Sequence, residues 1–444
     1  MGNLKLLRVM VLLFGCTLAF EGFAQGGSTS ISMSLEECLE YAKENSITLK
    51  KAQLQIENSE SEQVSAKGAF LPTISGSVSQ GLSSYPLNES SSLSAATYAG
   101  SYGVDLSMTL YNGGSNRAKL QQSVVGGEIA SAAMAELSSS LEVAITELYV
   151  EILYAIAQIE VAQSSLEISE KSQEQGAAFL AAGTINQADY AQLESATASS
   201  KYSVVVAETQ LSSLYVALRH LLEIPYDVEF AVEEIALSDD VLLAQIPTVV
   251  DVYHSALDSR PEIQSAELYI QSAQFDQTIA ESGFLPKLSL TAGTGVNHSS
   301  SSSYDFSSQM RNNFSTSAGL NLSIPIFSGY INRSNVAIAK NSVKTAELSL
   351  SEAEKDLYQT IETLRNNAAN AQAIYSVSEY MLQANLKSME LTTEQYEVGL
   401  KSTIELLTEQ DNYNQTYQDY LINKYQLILN KALLNYYKTN IIKL

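Results

Sequence analysis

The chain repeats itself, and that repetition limits what it can fold into more than any other feature. Ala69-Phe70-Leu71-Pro72 returns as Gly283-Phe284-Leu285-Pro286, an offset of 214 residues. Leu110-Tyr111-Asn112-Gly113 returns as Ile326-Phe327-Ser328-Gly329, and Gly183 returns as Gly399, both at an offset of 216. Between these markers each half has the same order: helix, strand, polar loop, strand, very long helix, tip, helix. This divides the chain into a first repeat (25–223), a connector (224–248) and a second repeat (249–444), with residues 1–24 standing apart.

The long helices carry the repeat most clearly. In the second half an apolar or small-residue stripe runs Val343, Ala346, Leu350, Ala353, Leu357, Ile361, Leu364, Ala368, Ala371, Tyr375, Ser378, Leu382. Its steps alternate three and four, as a coiled-coil seam requires. The exception is Ala353 to Leu357 to Ile361, where two fours in succession locally unwind the supercoil. Residues 216 positions earlier, from Gly127 through Leu141 and Ile145 to Leu166, reproduce the seam with the same irregularity. One helix over 328–398 would be about 105 Å long at ~1.5 Å per residue, too long for a globule. Shorter helices are expected over 34–68, 184–222, 249–282 and 402–440, packed beside the long ones. The fold class is mainly α with β: tandem helical hairpins, joined at tips Phe179–Tyr190 and Tyr396–Leu407.

Four segments alternate with period two. Around 72–111 and 286–327, Ile74, Val78, Leu106, Met108, Leu290 and Leu320 oppose serines, threonines and asparagines. Segments of about ten residues, apolar on one side and small-polar on the other, suit an outer-membrane barrel. The loops between paired strands, 83–97 and 299–313, are long and Ser-rich, whereas the other strand ends run straight into helices. Phe70, Tyr111, Phe284 and Phe327 would gather at one membrane boundary as an aromatic girdle. Tyr111 and Phe327 fall on the polar-face parity if their strands run unbroken. Four strands cannot close a membrane barrel, and lipid tolerates no open sheet edge. The barrel must be shared between chains, and physics alone accepts two copies or three.

Lys5 and Arg8, the apolar run from Val9 and Gly22-Phe23-Ala24 read as an export signal cleaved after Ala24, ahead of the rival of lipid attachment at Cys16. Cys38 is then the one cysteine left, so no intramolecular disulfide is expected. No later segment has the ~18 consecutive apolar residues of a transmembrane helix. The formal net charge of −24 argues against nucleic acid, which needs clustered Lys and Arg. His220, His254 and His298 fall in different elements without ligand spacing. No phosphate loop or nucleophile motif appears, so neither an enzyme nor a cofactor is expected. In the connector, Glu233-Glu234 and Asp239-Asp240 read as solvated charge. A structural or adhesive coiled-coil protein is the main alternative to a channel.

This order of elements resembles the TolC-like outer membrane efflux proteins over essentially the whole mature chain. The resemblance rests on Phe-Leu-Pro entering strands one and three, on Ile324-Pro325-Ile326-Phe327-Ser328-Gly329 leaving strand four, on Arg260-Pro261-Glu262-Ile263 and on the two glycine tips. The first half departs where Thr109 replaces the strand-exit proline. The resemblance implies a homotrimer with a shared 12-stranded β-barrel in outer-membrane lipid and a periplasmic α-helical tunnel. It further implies a periplasmic adaptor protein and an inner-membrane transporter as partners. It places a periplasmic gate at the tips, with Tyr396 and Lys401 tied to Asp189. The family's constricting carboxylates fall on Glu405 and on Thr408, the latter a departure. Three copies of Glu405 near an axis would repel one another and push their pKa values up. A Lys401–Asp189 pair at a wet tip would contribute only ~0–1 kcal/mol.

Overall fold

The computed structural model describes residues 31–84, 96–228, 230–234 and 242–444. The export signal with Cys16, most of the first polar loop, and Asp239-Asp240 lie outside the described residues. The first repeat runs β1 (Ile31–Met33), α1 (Leu35–Asn45), α2 (Ile47–Gly68), β2 (Thr73–Ser83), β3 (Thr97–Asn112), α3 (Ser115–Ala181) and α4 (Gln187–Leu222). A short strand in the connector, β4 (Phe230–Val232), pairs in parallel with β1. The second repeat runs α5 (Val249–Ser259), α6 (Pro261–Glu281), β5 (Lys287–Ser299), α7 (Phe306–Asn312), β6 (Ser315–Ser323), α8 (Ile331–Glu397) and α9 (Thr403–Thr439).

The two long helices, α3 and α8, each have 67 residues, or about 100 Å at ~1.5 Å per residue. The seam read from the sequence faces inward along α8. Leu357, Ile361, Ala368, Ala371, Tyr375 and Ser378 are buried, and the stripe continues in three-four steps through Met389 and Thr392 to Tyr396. In α3 the matching stripe is covered except at Leu137, which is 40% exposed.

The stutter has a packing counterpart. Ile361 lies in a cluster with Val252, Ala256, Ile263, Leu357 and Leu434. Its repeat-mate Ile145 lies in a cluster with Cys38, Ala42, Leu141 and Leu218. Leu218 and Leu434 differ by 216 residues, and Cys38 and Val252 by 214. Where the seam unwinds, each long helix meets the short first helix and the return helix of its own repeat.

The helices expected over 34–68 and 249–282 each break once, at positions again 214 apart. Ser46 caps α2 by accepting a hydrogen bond from Leu49 N at 3.4 Å. Arg260 precedes Pro261, whose ring disfavours helical backbone in the residue before it; Arg260 accordingly sits at φ −81°, ψ 129°. The buried Arg260 guanidinium lies over the rings of Tyr436 and Tyr437 at 5.1 and 4.6 Å and bonds Glu262 at 3.0 Å.

The other four strands form one antiparallel sheet in the order β2-β3-β5-β6, so β2 and β6 are open edges. The two hairpins differ where Thr109 stands at the place of Pro325. β6 stops at Ser323, ahead of a proline that cannot donate to a ladder, while β3 runs on to Asn112. In β3 the register shifts between Thr109 and Tyr111, so Thr109 pairs with Ser289 but Tyr111 pairs with Leu288. That bulge moves Tyr111 from the polar parity to the apolar face of Leu288. Phe327 lies past the end of β6, where strand parity no longer applies. Phe70, Tyr111, Phe284 and Phe327 are all exposed. The second polar loop is not structureless: it holds α7, capped by Asp305 and tied back by Gln309, whose side chain bonds both the amide and the carbonyl of Ser299. Among the described residues no helix is long and apolar enough to cross a membrane.

Candidate functional site: the two hairpin tips

Both tips are built the same way. Two residues past the ends of α3 and α8 stand Gly183 (φ +74°) and Gly399 (φ +75°), in a left-handed conformation that only glycine adopts without steric cost. Gly183 N donates to Leu180 O at 3.0 Å and Thr184 N to Phe179 O at 2.9 Å. Gly399 N donates to Tyr396 O at 2.9 Å and Leu400 N to Gln395 O at 2.8 Å. Three residues beyond each glycine the return helix starts with a capping box. Asn186 caps α4, and its amide donates to Asp189 Oδ2 at 3.4 Å. Ser402 caps α9, and its amide donates to Glu405 Oε2 at 2.9 Å. Asp189 and Glu405 are therefore the same position of the duplicated unit, each carboxylate facing the amino end of its helix, where the dipole favours negative charge.

The tips differ in the residue before the cap. Ile185 stands in the first, Lys401 in the second. Lys401 Nζ donates to Glu405 Oε1 at 2.6 Å, and both side chains are partly exposed. This bond first, then the Ser402 amide and hydroxyl, holds the Glu405 carboxyl down at about 2. The mutual repulsion expected among three copies would act in the opposite direction. Within one chain, Lys401 is brought to Glu405 and not to Asp189. The Thr408 hydroxyl donates to Ile404 O at 2.8 Å and leaves that position uncharged.

Tyr396 is only 2% exposed, and its ring meets Phe179 of the other hairpin edge-on, with centroids 5.6 Å apart. Its hydroxyl, like the buried Thr403 hydroxyl, has no hydrogen-bond partner among the described residues. The seam explains the burial: Tyr396 is the last of the three-four steps along α8. The family resemblance implied a gate role for Tyr396, but it did not point to the residues that join the hairpins. Gln410 Nε2 donates to Ser172 Oγ at 3.0 Å, Asn414 Nδ2 to Ser165 Oγ at 2.8 Å and Gln175 Nε2 to Glu397 Oε1 at 2.8 Å. Gln410 and Asn414 lie one turn apart on α9, facing small serines on α3, and that spacing was the available signal. Among the described residues no group of three or more His, Cys, Asp or Glu side chains could hold a metal ion.

The family model described as "Outer membrane efflux protein" matches residues 38–222 and 252–435, once in each repeat. Outer membrane protein TolC of Salmonella enteritidis is 27% identical over 194 residues, which span 39% of this chain and 38% of that relative. Among solved structures, CusC superposes with a TM-score of 0.79 at 19% identity, covering 94% of this chain and 95% of CusC. VceC from Vibrio cholerae gives 0.75 at 17% identity, covering 90% and 95%. At such identities the structures establish a shared fold, and the family match covers most of the chain. The chain belongs to the outer membrane efflux protein family.

Proposed function

We propose that three copies of the chain form a duct that exports small molecules, such as toxic compounds, or secreted products from the periplasm to the outside. Its family sets it in the outer membrane, with the long helices reaching into the periplasm. A periplasmic adaptor and an inner-membrane transporter would complete the system. One observation carries the reading: the four-stranded sheet ends in two open edges, β2 and β6, exposed along their whole length. Lipid does not tolerate unpaired strand edges, so the sheet must continue into other copies. Three copies supply twelve strands in a closed ring.

The helices support the same arrangement. Within the chain, α9 of the second hairpin packs on α3 of the first. By the duplication, α8 of one copy should pack on α4 of the next. Both faces carry uncovered apolar side chains, among them Tyr202 and Val216 on α4 and Leu348 and Tyr380 on α8.

The tips would then close the periplasmic end. In this proposal Tyr396 and Lys401 form the latch toward Asp189 of the other hairpin, and Lys401 exchanges between Glu405 and that carboxylate. Glu405 supplies the charge nearest the axis, and a single ring of it would hold a divalent cation weakly. Gly183 and Gly399 keep the tips tight enough to meet.

Reconstitution in a planar bilayer tests the reading. A detergent-extracted trimer with single-channel conductance supports it; a monomer that stays soluble without detergent and conducts nothing would sink it. Replacing Tyr396 and Lys401 together should raise conductance or antibiotic leakage, and Glu405→Ala should weaken block by divalent cations from the periplasmic side. Unchanged conductance in the double variant would count against the gate alone.

A further inference from the structure

We infer that Asp105 sets the charge preference of the exit barrel. This rests on the reading that the four strands close into a barrel shared by three copies. The strands carry two formally charged side chains: Lys287, the first residue of β5, and Asp105, near the middle of β3. Asp105 pairs with Ser75 on one side and Gly293 on the other, and Gly293 pairs with Ser317. Paired residues share a face, so Asp105 belongs to the small-polar side of the sheet. The neighbouring row, with Leu106, Ala292 and Ala318 in register, belongs to the apolar side that suits lipid. Asp105 therefore points into the lumen.

Local packing leaves the carboxylate free to act there. A Cβ at Gly293 would come within 2.8 Å of Asp105 Oδ1, so the side chain lies across a position that only glycine leaves open. The side chain is exposed, and its row otherwise offers serines and glycine. Lys287 lies on the same face, six residues along β5 from Gly293, or about 20 Å away. That exceeds the ~8 Å screening length at physiological salt, so the two charges act on separate levels of the duct. Three copies place a ring of three carboxylates at mid-barrel and a ring of three ammonium groups at the periplasmic end. The wall between is neutral. Cations and cationic amphiphiles would pass the carboxylate level more readily than anions.

The test is the reversal potential of the reconstituted protein across a salt gradient, for wild type, Asp105→Asn, Asp105→Glu and Lys287→Gln. At 0.1 M salt, Asp105→Asn should lower the cation-over-anion permeability ratio about fivefold, since three charges acting across about one screening length in water favour a cation and disfavour an anion each about twofold. The difference should vanish at 1 M. Asp105→Glu should keep the wild-type ratio, and Lys287→Gln should move it the opposite way. An Asp105→Asn channel of normal conductance with an unchanged ratio at 0.1 M overturns the inference. A wild-type trimer that conducts nothing would instead overturn the duct.

Discussion

Lys401 Nζ lies 2.6 Å from Glu405 Oε1, while the same carboxylate accepts from the amide that starts α9. One side chain thus joins a surface ion pair to a helix cap. The paired position in the first repeat, Asp189, has the cap without the ion pair, because Ile185 stands where Lys401 would be.

A pH dependence with a definite sign follows. The folded-state pKa of Glu405 is depressed to about 2 from an ordinary value of 4.5. Its contribution to tip order is present above pH 4.5 and is lost as pH falls through 2. Carboxyl NMR titration should find Glu405 ionised at pH 3.5. In Lys401→Met, which removes the largest cause, its midpoint should move up toward 4.5; an unmoved midpoint would show that the cap alone sets it.

Tyr396 separates packing from hydrogen bonding. Tyr396→Phe removes a buried hydroxyl that bonds nothing among the described residues, so thermal stability of the isolated chain should change by less than ~0.5 kcal/mol. Tyr396→Ala empties the space against Phe179 and should cost about 3 kcal/mol, read as a lowered unfolding midpoint. Raised conductance in Tyr396→Phe without loss of stability would show that the hydroxyl serves the gate and not the packing.

Arg260 should be the costliest single site in the second repeat. Arg260→Ala strips the partner from the part-buried Glu262 and empties the slot against Tyr436 and Tyr437. A loss of about 3 kcal/mol is expected in chemical denaturation. Arg260→Lys should recover little, since an ammonium lacks the planar face that stacks on both rings.

Cys38 should be inert in the folded protein. Burial, with a smaller contribution from Glu37, pushes its thiol up to about 12. At pH 8 a maleimide should label it only after denaturant is added, because the reactive thiolate is almost absent. Labelling of native protein at the rate of a free thiol would mean that the α1–α3 contact opens.

The positions of Ser46 and Arg260 show how much the sequence carried and where it fell short. Hydrophobic periodicity marked each segment as helical but passed over one break in each repeat. At Arg260 the signal was present in the following proline. At Ser46 it was a lone serine, a cap that has no distinguishing pattern among so many others. Tyr111 is a similar case: strand parity placed it on the polar face, and a one-residue bulge, invisible to an alternation count, turned it over.

The duplication, the seam with its stutter, the glycine tips and the sheet's two faces were all decided by the sequence, because each is a local period or a steric demand of one residue. Tertiary structure alone decided which partners meet across that frame. Lys401 reached Glu405, since four residues at a helix start lie within one side chain's reach. Tyr396 met Phe179 because the seam carried it inward at the last turn. Such pairings depend on how two helices sit together in space, which no periodicity along one of them records.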